Sequence, residues 1–234
     1  MIDIDTIPVI SFNQTDTVRL ISTAYIDESA MAPLADDNDE LAYLEELEKL
    51  TSARQSGIVL PADVHPDELL TEHHGYGWSY INAAFCYTRS TGNRFNGSNR
   101  GAWYATWGEG AVETAKAEVN WHLTRELEAV GVYDNITSYR ELIASFASKM
   151  HDLRELDDVT VFNPDPVIGY PSGQALSANL RAGDSNGILY PSVRKQNGKC
   201  LAAFRPNLVQ NIRQGDTWTF EWAGKSEPHI TKTI

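Results

Sequence analysis

Three side chains on successive segments of the sequence could bind and transform a ligand at a single site. Arg94 lies in the glycine-flanked loop GNRFNG, where the backbone can approach a ligand closely and a guanidinium can clamp a phosphate or carboxylate. Tyr104 follows in the apolar segment AWYAT, where its ring can stack on a planar group. Glu118 supplies a carboxylate in the next segment. The three residues predict an anion clamp, an aromatic platform and a candidate acid.

The position of Glu118 leaves its role open. It lies beside the apolar stripe of a predicted helix, and His122 stands one turn further along the same face. On spacing alone, a structural ion pair is the more common explanation for such a carboxylate. Glu113 begins the same helix, where it can complement the helix dipole. Ser192 follows a proline at the end of a predicted strand, where a turn serine is expected, and no GxSxG motif surrounds it.

The elements that must position these residues follow from hydrophobic periodicity. A helix between Gly110 and Gly131 is predicted from the stripe Val112, Ala115, Val119, Leu123, Leu127 and Val130. A second helix is predicted over Ser138 to Met150, with Tyr139, Leu142, Ile143 and Phe146 inward. VTVFNPDP is predicted as a strand, SGQALSANLRAG as a helix, and GILYPSVR, CLAAFRP and TWTFEW as strands. This order indicates a mixed α/β or α+β fold.

Composition narrows the class of protein. The chain has 234 residues, 42% of them hydrophobic, and a formal net charge of −13, which disfavours broad binding to nucleic acid. Cys86 and Cys200 lack zinc-site spacing, so both are predicted to be small buried side chains. Since neither a signal peptide nor an apolar run of membrane-spanning length is recognised, we expect a soluble cytoplasmic protein.

The N-terminal part of the chain is strongly acidic. Nine carboxylates lie between Asp27 and Glu48, and Leu41, Leu44, Leu47 and Leu50 recur among them at helical spacing. The favoured interpretation is a helix with a solvated acidic face, and a docking surface for a basic partner is the lesser one. Prolines and polar residues after this helix place a boundary near residue 75. His73 and His74 are adjacent, which does not suit a metal pair, so they are predicted to be structural or exposed.

Three blocks in this order resemble the RES-domain family, which is named for an arginine, a glutamate and a serine. GNRFNG is similar to the family's arginine loop, and WYAT followed by AVETAKAEVNWH to its tyrosine strand and glutamate helix. GILYPSVRKQNGKCLAAFRP is similar to its serine segment. The resemblance implies a RES domain over residues 76–234, preceded by an acidic, partly helical extension over residues 1–75. It also implies a core like that of the diphtheria-toxin-type ADP-ribosyltransferases.

The resemblance implies an enzyme that consumes NAD by cleaving the bond between nicotinamide and ribose, as a phosphorylase or a glycohydrolase. Glu118 would be the catalytic carboxylate, and Arg94, Tyr104 and Ser192 would be catalytic and would bind NAD. Inorganic phosphate is an implied co-substrate, and no metal is expected. The spacing between Tyr104 and Glu118 is longer than in compact family members, and the extra length lies in the turn WGEGA. This leaves Glu113 as a rival for the catalytic acid. His122, four residues after Glu118, favours Glu118.

Biological role and partners are likewise implied by the resemblance alone. Many family members are toxins of type II toxin-antitoxin pairs, which predicts a helix-turn-helix (Xre-type) antitoxin as partner and allows a homo-oligomer. No direct contact with nucleic acid or membrane is expected. Two other functions remain open: a mono-ADP-ribosyltransferase that modifies a cellular protein, and a non-catalytic protein-binding module.

Overall fold

A computed structural model describes residues 2–26, 34–57, 59–156 and 160–233. Within them lie five α-helices: α1 (Asn38–Thr51), α2 (Ala53–Ser56), α3 (Trp78–Cys86), α4 (Ala111–Val130) and α5 (Pro166–Ala182). Seven strands accompany them: β1 (Val9–Ser22), β2 (Trp103–Thr106), β3 (Asp134–Asp152), β4 (Gly187–Pro191), β5 (Lys199–Ala203), β6 (Gln210–Ala223) and β7 (His229–Thr233). The predicted mixed α/β class is confirmed, and the likeness to diphtheria-toxin-type transferases stays a prediction.

The strands form one sheet that closes on itself. Their order is β1-β2-β5-β4-β3-β6-β7, and β1 also pairs with β3, so five strands make a ring from which β6 and β7 continue. β1 and β3 are antiparallel from Val9↔His151 to Ser22↔Tyr139, whereas β1 meets β2 at Val18↔Thr106. β3 and β4 are the parallel pair. The ring therefore joins segments from both ends of the chain.

The helices cover the sheet through three hydrophobic clusters. α3 packs over one face with Phe85, and α5 over the other with Leu176 and Leu180. Along β5 the side chains alternate between these faces: Leu201 belongs to the α3 cluster and Ala202 to the α5 cluster. Because both faces are covered, β4 and β5 carry nearly continuous apolar sequences.

α4 is the helix that presents the candidate acid, and its prediction is confirmed. Gly110 and Gly131 flank it with φ of 70° and 78°, and the N–H of Gly131 caps the carbonyls of Leu127 and Glu128. The apolar stripe packs against Phe220 and Trp222. Glu118 precedes Val119 of this stripe and therefore lies beside the packed face of α4. Val130, at the end of the predicted stripe, is exposed.

Two predicted elements are wrong. Residues 138–150 belong to the long strand β3 rather than to a helix. Tyr139, Leu142, Ile143 and Phe146 have helical spacing, but β3 is paired on both edges, so its side chains are buried without a clean alternation. The described part of VTVFNPDP, from residue 160, consists of turns and a bend that lead into α5, and Val159 lies outside the described residues. The predicted helix SGQALSANLRAG lies within α5, and the three remaining predicted strands correspond to β4, β5 and β6.

The N-terminal segment contributes directly to the sheet. β1 lies within the predicted extension, yet it pairs with β3 along nearly its whole length. The acidic helix is present as α1, in which no residue is buried and Leu47 and Leu50 are exposed. Asp27 and Glu28 of the acidic run lie outside the described residues. The boundary near residue 75 stays a prediction. No helix in the described ranges is long and apolar enough to cross a membrane.

Candidate active site

A cavity of about 470 Å³ lies between β1, β2, α4 and α5. Arg94, Tyr104 and Glu118 all line it, so the fold brings the three predicted residues together. Its wall combines four arginines with six tyrosines: Arg19, Arg89, Arg94, Arg194, Tyr25, Tyr87, Tyr104, Tyr139, Tyr170 and Tyr190. Glu118 is the one carboxylate among the described lining residues. A second cleft of about 530 Å³ shares Arg89, Asn93, His122 and Tyr170 with this cavity, and this continuity leaves room for an elongated ligand.

Ser192 holds the Glu118 carboxylate from behind the cavity wall. Its hydroxyl donates a hydrogen bond of 2.6 Å to Oε1 of Glu118. The same oxygen of Ser192 accepts hydrogen bonds of 3.1 Å from the backbone N–H groups of Arg194 and Lys195. These two donors fix the direction of the hydroxyl, so the turn after β4 sets the orientation of Glu118.

Burial governs the ionisation of Glu118. Removal of the carboxylate from water raises its pKa above the usual value of 4.5. The hydrogen bond from Ser192 and the positive charges of Arg194 and Arg94 act in the opposite direction but do not cancel this effect. Cys200 lies 3.9 Å from the carboxylate through its Sγ and is itself buried. The site therefore keeps one desolvated carboxylate surrounded by cations.

The predicted anion clamp is held rigidly in place. Arg94 is 6% exposed, and its Nη1 donates to the backbone oxygens of Val161 at 2.5 Å and Asn163 at 2.9 Å. α5 approaches it through glycine: a Cβ on Gly173 would lie 2.3 Å from the carbonyl oxygen of Arg94. The ring of Tyr170 lies 5.5 Å from the guanidinium carbon. These contacts leave Arg94 little freedom, which suits a preorganised binding group.

The hydroxyl of Tyr104 stabilises the loop that carries Arg94, a role that the sequence analysis did not predict. Its hydroxyl donates to Oδ1 of Asn96 at 2.8 Å and accepts from the N–H of Phe95 at 3.0 Å. Burial raises the pKa of this hydroxyl, so it stays protonated. Tyr104 thus braces the loop that carries Arg94. Its role as a stacking platform for a ligand stays a prediction.

Three arginines of the cavity were not among the predicted site residues: Arg19, Arg89 and Arg194. Arg19 comes from β1, donates to the backbone oxygen of Tyr104 at 3.2 Å and lies 4.9 Å from the ring of Trp103. Burial lowers its pKa to about 10, so it remains a cation at neutral pH. Arg194 stacks 3.4 Å from the Trp121 ring centroid, and its signal in the sequence was the segment YPSVR. No local pattern points to Arg19. In a chain of net charge −13, these arginines concentrate positive potential in one cleft.

The neighbouring titratable residues have separate roles. His122 lines the cavity, and burial together with the nearby arginines lowers its pKa to about 4, so its imidazole is neutral at physiological pH. Glu113 is exposed and pairs with Lys116 at 2.6 Å, and it is not among the residues that line the cavity. Glu118 is therefore better placed than Glu113 for a role in this cleft.

The cysteines and the two adjacent histidines are the remaining candidate metal ligands singled out in the sequence. Cys86 and Cys200 are buried and unpaired, as predicted, and His73 and His74 are exposed. Across the described residues, no three His, Cys, Asp or Glu side chains gather as metal ligands.

Comparison with known proteins gives two similarities. A sequence model of the RES domain family matches residues 69–223. A chain in the crystal structure of the M. tuberculosis MbcT-MbcA toxin-antitoxin complex aligns with a TM-score of 0.39 and 15% sequence identity, covering 55% of this chain and 72% of that chain. None of the curated proteins matches the sequence.

Proposed function

The chain belongs to the RES domain family, since the family model matches more than half of it, and from that premise we propose that it cleaves the bond between nicotinamide and ribose in NAD. The observation that carries this proposal is the Glu118 carboxylate, held by Ser192 at 2.6 Å in a cleft lined by arginines and tyrosines. A carboxylate stabilises the positive charge that develops on a reacting sugar. The arginines can bind the negatively charged pyrophosphate of NAD.

The chemistry requires charge stabilisation more than proton transfer. When the bond from ribose C1′ to the nicotinamide nitrogen breaks, both electrons stay with nicotinamide, which leaves as a neutral molecule. C1′ becomes oxocarbenium-like, and Glu118 stabilises this cation more than it stabilises intact NAD. An oxygen of phosphate or water then bonds to C1′, and hydrolysis by water also releases a proton. Because nicotinamide in NAD is already a cationic leaving group, the bond can break without a metal.

The other side chains position the substrate in this proposal. Arg94 binds a phosphate of NAD or the incoming inorganic phosphate, and its two backbone anchors keep the guanidinium in place during binding. Tyr104 packs against the nicotinamide ribose while its hydroxyl maintains the arginine loop. Ser192 orients the carboxylate of Glu118. The adjoining cleft that shares Tyr170 and His122 supplies the length that a dinucleotide needs.

Nicotinamide release from purified protein and NAD tests this function. Wild type should release nicotinamide, and Glu118→Gln should lose nearly all turnover because the carboxylate charge is absent. Glu113→Gln is the matched control on the same helix and should retain turnover. No release by the wild type, or equal release by Glu118→Gln, would contradict the assignment. Dependence on added phosphate distinguishes a phosphorylase from a glycohydrolase.

Transfer of ADP-ribose to a cellular protein is an alternative outcome of the same chemistry. The same four residues would serve it, with a protein side chain in place of phosphate or water. Labelled NAD in a cell lysate would then give a labelled protein band that disappears with Glu118→Gln. A non-catalytic binding module would produce neither nicotinamide nor a labelled band.

The proposed biological role is that of a toxin that acts on cytoplasmic NAD and is restrained by a helix-turn-helix antitoxin of the Xre type. Tyr25 and Tyr87 support a covering partner, since both line the cavity while they are 67% and 54% exposed. Induced wild type should deplete NAD and arrest growth, whereas Glu118→Gln should do neither. Co-expression of the antitoxin should restore growth, and equal toxicity of wild type and Glu118→Gln would argue against this role.

A further inference from the structure

A third cavity lies apart from the candidate active site and from the cleft that adjoins it. It has a volume of about 670 Å³ and lies between the C-terminal end of α5 and the segments around residues 67–74 and 204–207. It shares no lining residue with the first cavity. We call it the Arg181 cavity, after an arginine in the last turn of α5 that lines it. Its volume is in the range of small-molecule binding sites.

Three arginines line the Arg181 cavity, and two of them have carboxylate partners. Arg100 is 8% exposed and forms two hydrogen bonds of 2.6 Å to Glu68. Arg205 pairs with Asp184. By contrast, the guanidinium of Arg181 has neither a hydrogen bond nor an ion pair in the described part of the chain, and its Nε is buried. Arg181 is therefore a cation that no carboxylate of the described residues pairs with directly, although Asp63 and Glu68 act on it from further away.

An unpaired, half-buried guanidinium is costly for the fold. Burial lowers the pKa of Arg181 and the positive charge of Arg100 lowers it further, and the more distant charges of Asp63 and Glu68 only partly offset these effects. A guanidinium nevertheless stays protonated at neutral pH. Loss of hydration without a hydrogen-bond partner destabilises a protein, and a bound anion would supply the missing partner. Arg181 also lies in the last turn of α5, where a positive charge complements the helix dipole. That role alone does not account for the cavity that Arg181 lines.

Further hydrogen-bond donors line the same cavity as Arg181. Nδ1 of His74 lies 3.0 Å from the backbone N–H of Thr71 and 3.2 Å from its carbonyl oxygen, and in the neutral tautomer that accepts from this N–H the ring proton is on Nε2. Asn207 lines the cavity with an exposed side chain, and Nε of Arg100 is buried without a partner. Asp67 is the opposing group at the rim, but its carboxylate is 91% exposed and lies 3.4 Å from His65. His74, Asn207 and Arg100 thus offer donors in the cavity that Arg181 lines.

We propose that the Arg181 cavity binds a small organic anion, whose carboxylate or phosphoryl group pairs with the guanidinium of Arg181 while His74 and Asn207 donate to it. The fork of the guanidinium matches two oxygens of either group. The loop between Arg94 and Arg100 joins the two cavities: Asn96 accepts from Tyr104 and donates to the backbone oxygen of Arg100 at 3.0 Å. The site is nevertheless separate from NAD cleavage, and its existence does not depend on that activity.

NMR titration of the full-length protein labelled with ¹⁵N tests the proposal. Inorganic phosphate and succinate are added in separate experiments at constant ionic strength, and the side-chain signals of Arg181, Arg100 and Asn207 are followed. Saturable shifts with phosphate indicate a phosphoryl ligand, and shifts with succinate indicate a carboxylate. Arg181→Gln should weaken the binding by at least about tenfold, because it removes a charge-assisted pair.

Two further variants keep the result decisive. Arg213→Gln removes an exposed arginine that pairs with Asp16 elsewhere, and it should leave the titration unchanged. Arg181→Lys keeps the positive charge but lacks the forked guanidinium, so it should bind the probe more weakly than wild type and more tightly than Arg181→Gln. If Arg181→Gln folds poorly, the comparison of wild type with Arg181→Lys still tests the proposal. Shifts that do not saturate with either probe, or an equal affinity in the Arg181 variants, would overturn the proposal.

Discussion

If the proposed cleavage of NAD is correct, replacing Ser192 by alanine should change the pH range of that activity. The lost hydroxyl is the short hydrogen-bond donor to Glu118, at 2.6 Å, and the next donor, Sγ of Cys200, lies 3.9 Å away. Burial already raises the pKa of Glu118, and Ser192 opposes that rise. Ser192→Ala therefore raises this pKa further, so protonation of the carboxylate begins at a higher pH.

The size of the effect follows from the type of hydrogen bond. A hydrogen bond to a charged group contributes about 1.5–3 kcal/mol, and a tenfold change in rate corresponds to about 1.4 kcal/mol. On the acid side of the profile, turnover by Ser192→Ala should therefore fall at least about tenfold below wild type. At alkaline pH, where Glu118 is ionised in both proteins, the two rates should approach each other. The N–H groups of Arg194 and Lys195 lie near the surface and can bind water instead.

Nicotinamide release measured as kcat/KM from acid to alkaline pH checks this expectation. Ser177→Ala is the control, because Ser177 is buried and donates to a carbonyl of its own helix at 3.0 Å, away from Glu118. Its profile should keep the wild-type shape. A uniform loss of activity by Ser192→Ala at every pH would refute the reasoning, because it would mean that Ser192 acts on the substrate independently of the Glu118 charge.

Three further substitutions give separate expectations. Glu118→Gln should abolish turnover yet raise the melting temperature. Because the pKa of Glu118 is raised in the folded protein, its ionised carboxylate is destabilising, so the gain in melting temperature should grow as the pH rises above about 4.5. A difference in melting temperature that does not depend on pH would contradict this. Since the pKa of His122 is lowered from 6.5 to about 4, wild type should lose stability on the order of 3 kcal/mol as the pH falls through that range, and His122→Gln should lose less in urea unfolding. Gly173→Ala places a Cβ 2.3 Å from the carbonyl oxygen of Arg94, so it should reduce turnover and cost about 1–3 kcal/mol in unfolding free energy. Gly183→Ala, with its nearest atom 3.5 Å away, should change both far less.

The sequence predicts those parts of the site that depend on local pattern. The apolar stripe of α4 and its flanking glycines place Glu118 on a defined face, and glycines mark the loop of Arg94. The order of segments then connects Ser192 to this set through the family resemblance. The structure adds the hydrogen bond between Ser192 and Glu118, which no spacing could reveal because 74 residues separate the two.

The missed features depend on pairing between distant segments. β3 has the spacing of a helix, and its identity as a strand is decided by β1 and β6 on its two edges. Arg19 belongs to the cleft because β1 pairs with β3 more than a hundred residues later. Tertiary contacts of this kind override local propensity, and a single sequence carries no signal for them.

The closed ring of strands also sets when the cleft can exist during synthesis. β1 leaves the ribosome long before β3, its main partner, and the turn that carries Ser192 follows β4. At about 5–20 residues per second, a ribosome needs roughly 10–40 s to travel from β1 to that turn. Until then the growing chain holds Arg19, Arg94 and Glu118 without the group that orients the carboxylate. The order of translation thus imposes a delay in which the newborn chain is present but its candidate active site is incomplete.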